Sequence, residues 1–101
     1  MLFDGALLCV AAAQQHMENK QIAAKGENIS KAISIIANGL KASLNMEVGG
    51  ELALRLSALY EYMCERLLHA NLHNSVAALQ EVHRLLAELK GAWERIAERA
   101  D

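Results

Sequence analysis

Four amphipathic helices packed as one all-α, antiparallel up-down four-helix bundle are what this sequence predicts. Apolar side chains recur every three to four residues in four separate stretches, the signature of helices that each bury one face. Short polar or glycine-containing breaks separate the stretches, and short connections make consecutive helices antiparallel neighbours. No proline occurs among the 101 residues, so no helix is interrupted by a residue that lacks its backbone amide.

The first helix is expected over about residues 2–19, with Leu2, Phe3, Ala6, Leu7, Val10, Ala13 and Met17 inward. It starts without a capping side chain, so its first amides need water or further chain as partners. After a break at residues 19–21, the second helix extends over about 22–45. Ile22, Ile29, Ile33, Ile36, Leu40 and Leu44 line one face, and Lys25, Asn28, Asn38 and Lys41 fall elsewhere. Gly26 weakens this helix by roughly 1 kcal/mol relative to alanine. Gly39 carries the same cost at a place suited to close approach of a neighbour.

Gly49 and Gly50 end the next break and release the chain before the third helix, expected over about 51–72. Its inward stripe is Leu52, Leu56, Leu59, Tyr60, Met63, Leu67 and Ala70. Asn74 or Ser75 can cap the fourth helix, expected over about 75–98, which carries Leu79, Val82, Leu86, Leu89, Trp93 and Ile96 inward. The helix fades in the charged tail from Glu98 to Asp101. All of this fits a single domain over residues 1–101.

The composition narrows the function classes. The chain is 53% apolar with one Trp, one Phe and two Tyr, so its core must be mostly aliphatic. A net charge of −2 with mixed signs supplies no single-sign field, which disfavours nucleic acid and anionic membranes as partners. Cys9 and Cys64 are too few to staple a secreted scaffold and read as buried thiols in a reducing compartment. The apolar start, residues 1–13, lacks a basic leader, contains Asp4 and runs on into Gln14, Gln15 and His16. It is also too short to span a bilayer, so a cytoplasmic location is expected.

Few residues point to chemistry. Glu65, His69 and His73 follow at four-residue spacing and could share a face, yet His73 falls at a helix end. No Glu-x-x-His pair on two helices marks a di-iron bundle, so no metal and no cofactor are expected. Nor is there a nucleophile motif or a phosphate-binding glycine loop, and Ser43 and Ser57 read as ordinary helix serines. An enzyme is not expected.

What remains is apolar surface. Ile35, Leu54, Tyr62, Leu68, Leu72 and Leu85 sit away from the inward seams, where they either widen the core or form a groove for a helical or extended peptide. Ile35, Leu54, Ala58, Tyr62 and Leu85 are the candidate partner-binding residues, whereas Tyr60 and Trp93 are assigned to the core.

The runs Leu2-Phe3-Asp4-Gly5-Ala6-Leu7, Gly26-Glu27-Asn28-Ile29-Ser30-Lys31-Ala32 and Ser43-Leu44-Asn45, with Gly49-Gly50-Glu51 and Leu59-Tyr60-Glu61-Tyr62-Met63, recur in order with Arg66-Leu67, Ala70-Asn71, Glu81-Val82, Leu85-Leu86 and Trp93. Together they make the chain resemble the flagellin-specific export chaperone family, FliS. The resemblance implies a small helical bundle that holds the disordered C-terminal segment of flagellin, prevents premature polymerisation and aids delivery to the export apparatus. It further implies contact with the flagellar export gate and, in some bacteria, with the anti-sigma regulator of late flagellar genes. Family members carry an upstream segment with a tyrosine and a Ser-Pro lead-in, where this sequence has Met1. A groove left uncovered in that way is expected to favour a homodimer by mutual groove occupation. A structural or regulatory adaptor for another amphipathic helix, and less so a metal-binding bundle, are the alternatives.

Overall fold

The computed structural model describes residues 2–99, with side chains to residue 95, and contains four helical arms. Helix α1 is Leu2–Glu18, α2 is Ile22–Ser34, α3 is Met46–His73 and α4 is Val76–Arg99. Helix α2 continues without a break into a π-helical segment, Ile35–Lys41. Among the described residues α1 packs against α2 and α4, while α3 packs against α4, α2 and the π segment. Helices α1 and α3 are therefore diagonal, as an up-down order requires. Met1 and the end of the charged tail lie outside the described residues, and Ile96 lies outside the described side chains.

Each connection is closed by its own backbone and side-chain groups. At the end of α1, Lys20 adopts a left-handed conformation with φ 59°. The Gln21 amide then reaches the His16 carbonyl at 2.8 Å, and the Lys20 amide reaches that of Met17 at 3.1 Å. That pair of bonds is the Schellman arrangement, which satisfies carbonyls a helix end leaves open. Asn74 repeats the conformation after α3 with φ 51°, and the Ser75 amide returns to the Ala70 carbonyl at 3.1 Å. Of the two capping candidates for α4, Ser75 takes the role: its hydroxyl accepts from the Ala78 amide at 3.2 Å.

The start of α3 departs from a simple helix. Asn45 caps it, its side-chain oxygen accepting from the amides of Glu47 and Val48 at 3.1 and 3.0 Å. One turn later Gly50 sits at φ 53° and ψ −127°, outside helical space, and kinks the chain before the long arm resumes. Only glycine adopts that conformation cheaply. The helix thus begins five residues earlier than its period suggests.

Alanines at the helix crossings, including Ala6, Ala13, Ala32, Ala70 and Ala78, are fully buried and let the backbones approach. Tyr60, Ile29, Ile36, Met63, Leu67, Leu79 and Leu86 fill the space between them. A side chain on Gly39 would meet Leu2 at 3.2 Å, so the expected close approach is real and lies between the π segment and the first turn of α1. Two expectations need correction. Ile22 points to solvent, and Lys25 is buried, at 3% exposure. The Lys25 ammonium donates to the Asn71 carbonyl at 3.0 Å and to Asn74 Oδ1 at 2.7 Å, so a cation completes the C-terminal end of α3.

Candidate functional site

Where the first turn of α1, the π segment, the start of α3 and the later part of α4 meet, the bundle fails to close. Leu2 and Phe3 form one wall of the resulting cavity, and Leu40 and Leu44 a second. Val48, Leu52 and Leu56 of α3 form a third, with Tyr60 at the base and Trp93 across the opening. The space is about 380 Å³. Ser43 and Asn45 are its polar lining side chains, so what it offers is chiefly a place to bury hydrocarbon.

The exposure of the wall residues sets this cavity apart from an imperfectly filled core. Val48 is 85% and Leu52 64% exposed, and Leu2 and Trp93 are also open to solvent. Periodicity places Leu2, Leu52 and Trp93 inward. They do face neighbouring elements, Leu2 against Gly39 and Trp93 against Tyr60, but around this cavity the elements do not close over them. Tyr60 is buried, which pushes its phenol above the ordinary range, with hydrogen bonding to Trp93 opposing the shift. Lys90 of α4 reaches Asp4, the neighbour of Phe3 on α1, at 2.6 Å. This hydrogen bond holds the Asp4 carboxyl below its usual range and the Lys90 ammonium above its own.

The five candidate residues fall into two groups. Ile35 and Leu85 are half-buried and pack against the core. Leu54, Ala58 and Tyr62 are exposed and follow one another at four-residue spacing along the outer side of α3. Tyr62 links that side to α4: its hydroxyl donates to Glu81 at 2.5 Å, and Arg66 Nε donates to the other oxygen of Glu81 at 2.7 Å. The two donors lower the Glu81 carboxyl, and the same hydrogen bond raises the Tyr62 phenol. Leu85 lies one turn beyond Glu81 on α4.

A second cleft of about 650 Å³ opens between α1 and α4, walled by Gln14, Gln15, Glu18, Gln80, His83 and Arg84. It is larger but wide open and polar, and offers little to an apolar segment. His69 and His73 meet with ring centroids 4.6 Å apart and planes tilted by 45° on the exposed end of α3. Among the described residues no group of three or more His, Cys, Asp or Glu could hold a metal ion. Both cysteines are half-buried rather than fully enclosed, and burial pushes the Cys64 thiol up. No helix among the described residues is long and apolar enough to cross a membrane.

Comparison with known proteins places this architecture. Residues 1–100 match the family model described as flagellar protein FliS. The chain is 51% identical over 100 residues to the flagellar secretion chaperone FliS of Salmonella typhimurium, covering 99% of this chain and 74% of that protein. It is 47% identical over 94 residues to the chaperone of the same name from Escherichia coli K12, covering 93% of this chain and 69% of the relative. With the Bacillus subtilis 168 chaperone the identity is 36% over 95 residues, covering 94% and 69%.

Proposed function

Because the chain belongs to the FliS family of flagellar secretion chaperones, we propose that its cargo is the disordered C-terminal segment of flagellin, anchored in the apolar cavity at the open end of the bundle. The chain is a flagellar export chaperone and not an enzyme. What it supplies is burial. Each Leu- or Phe-sized cargo side chain transferred from water into the cavity stabilises the complex by roughly 1.5–3 kcal/mol before ordering costs. A disordered segment loses much conformational entropy on binding, so one anchor must be extended by further contacts. Leu54, Ala58 and Tyr62, with Ile35 and Leu85 beside them, are the proposed continuation of the cargo surface.

The observation that carries this reading is the cluster of exposed apolar side chains, Leu2, Val48, Leu52 and Trp93, around one apolar cavity. Holding the cargo in this way keeps flagellin from polymerising early and leaves the complex ready for the export apparatus in the cytoplasm. The export gate and, in some bacteria, the anti-sigma regulator of late flagellar genes are the further partners this reading includes. A homodimer by mutual groove occupation is the state it assigns to the chain without cargo. The direct test follows polymerisation of purified flagellin by light scattering. Suppression that saturates near one chaperone per flagellin supports the proposal, and polymerisation that proceeds unchanged at several-fold excess contradicts it.

A further inference from the structure

The outer side of α3 carries a second pattern that the core does not use. Beyond the Gly50 kink, residues 54, 58, 61, 65, 68 and 72 follow at alternating spacings of four and three, which is the a/d seam of a coiled coil. The seam spans about 27 Å at 1.5 Å per residue. All six residues are exposed, with Leu54 at 61%, Leu68 at 59% and Leu72 at 78%. They lie opposite the buried stripe of Tyr60, Met63, Leu67 and Ala70. Leucine and alanine occupy both ends of the seam, and Glu61 and Glu65 occupy its middle.

The two carboxylates determine what the seam can accept. Glu61 is held at 2.6 Å by Lys41 of the π segment, whereas Glu65 has no ion-pair partner among the described residues. A second copy of this chain laid antiparallel on the seam would pair 54 with 72, 58 with 68 and 61 with 65. That register stacks apolar ends on apolar ends but sets the Glu65 of each copy against the Lys41-paired Glu61 of the other, so four carboxylates share two lysines and the centre keeps an excess of negative charge that disfavours the pairing. A helix with apolar residues at both ends and lysine or arginine in its middle turns the same centre into an attraction.

We propose that the outer seam of α3 is a docking site for a partner amphipathic helix of about five turns, apolar at both ends and basic at its centre. Its central cation pairs with Glu65, and its end side chains pack on Leu54 and Ala58 at one end and on Leu68 and Leu72 at the other. The seam shares Leu54 and Ala58 with the proposed continuation of the cargo surface but none of its residues lines the end cavity, so its failure leaves the cavity anchor standing.

The test uses two synthetic helical peptides, identical except that one carries two lysines and the other two glutamates at the central seam positions, each with leucine at the four outer positions. Fluorescence anisotropy with the full chain is expected to give at least about tenfold tighter binding of the lysine peptide. Glu65→Lys reverses that preference, Leu68→Asp abolishes binding, and Leu52→Asp in the end cavity leaves it unchanged, all with native circular dichroism. Equal affinity for the two peptides, binding of neither, a preference that survives Glu65→Lys, or loss of binding on Leu52→Asp would overturn the proposal. So would a dimer in sedimentation that Leu68→Asp dissociates, since the occupant would then be a second copy.

Discussion

Lys25 shows how one side chain can be misplaced by its charge. Three residues after Ile22 and four before Ile29 it falls within the helical period of the buried face, and there its ammonium finds the Asn71 carbonyl and Asn74 Oδ1 and ties α2 to the turn between α3 and α4. Replacing it with Met keeps the apolar stem but leaves those acceptors without their donor, and urea denaturation should show a loss of about 1–3 kcal/mol. An unchanged midpoint would mean that water substitutes fully for the ammonium. Two glycines make a paired prediction. Gly50→Ala forces a side chain into a left-handed conformation and should cost about 1–3 kcal/mol, whereas Gly91→Ala, in open space on α4, should stabilise by about 0.5–1 kcal/mol. Equal effects at the two positions would contradict the kink.

At the scale of elements, the four helices were legible because each buries one face, and a period near 3.6 reports that face directly. The π-helical segment was not. Ile35, Ile36 and Leu40 read equally well on an α-helix, and the close approach of Gly39 to Leu2 within the wider turn is a contact that only folding brings about. The end cavity was missed for a related reason. Periodicity fixes the direction in which Leu2, Leu52 and Trp93 point about their axes, but not how tightly the facing elements close over them. Of the proposed partner surface, the Leu54, Ala58 and Tyr62 row was identified as off-seam from spacing alone, while the half-burial of Ile35 and Leu85 depends on neighbours brought together only by folding.

The ion pair between Asp4 and Lys90 also belongs to this scale, since it joins α1 to α4. The folded Asp4 carboxyl lies below 3.8, so its contribution is present above that value and is lost as pH falls through the folded pKa. The folded Lys90 ammonium lies above 10.5, so its contribution is complete below that value and is lost as pH rises through the folded pKa. The pair therefore acts across the neutral range. In Lys90→Met, carboxyl NMR titration should find Asp4 returned toward its ordinary value, and salt should affect the variant less than the parent chain. A titration curve that does not move would show that Lys90 is not the cause of the shift.

The whole molecule is a bundle of 45 × 24 × 19 Å that keeps apolar groups exposed at one end and along one outer side. Such exposure favours self-association without cargo, so light scattering over a wide concentration range should show dimers that a flagellin C-terminal peptide converts to one-to-one complexes. A monomer at every concentration, with or without peptide, would contradict that part of the account. The central claim is that the end cavity is the anchor for cargo, and calorimetric titration of the flagellin C-terminal peptide against a scrambled control tests it most directly. The account predicts saturable one-to-one binding of the native peptide with a negative heat-capacity change, weakened at least about tenfold by Leu52→Asp while circular dichroism is unchanged. Equal responses to the native and scrambled peptides, or full affinity retained by Leu52→Asp, would contradict it.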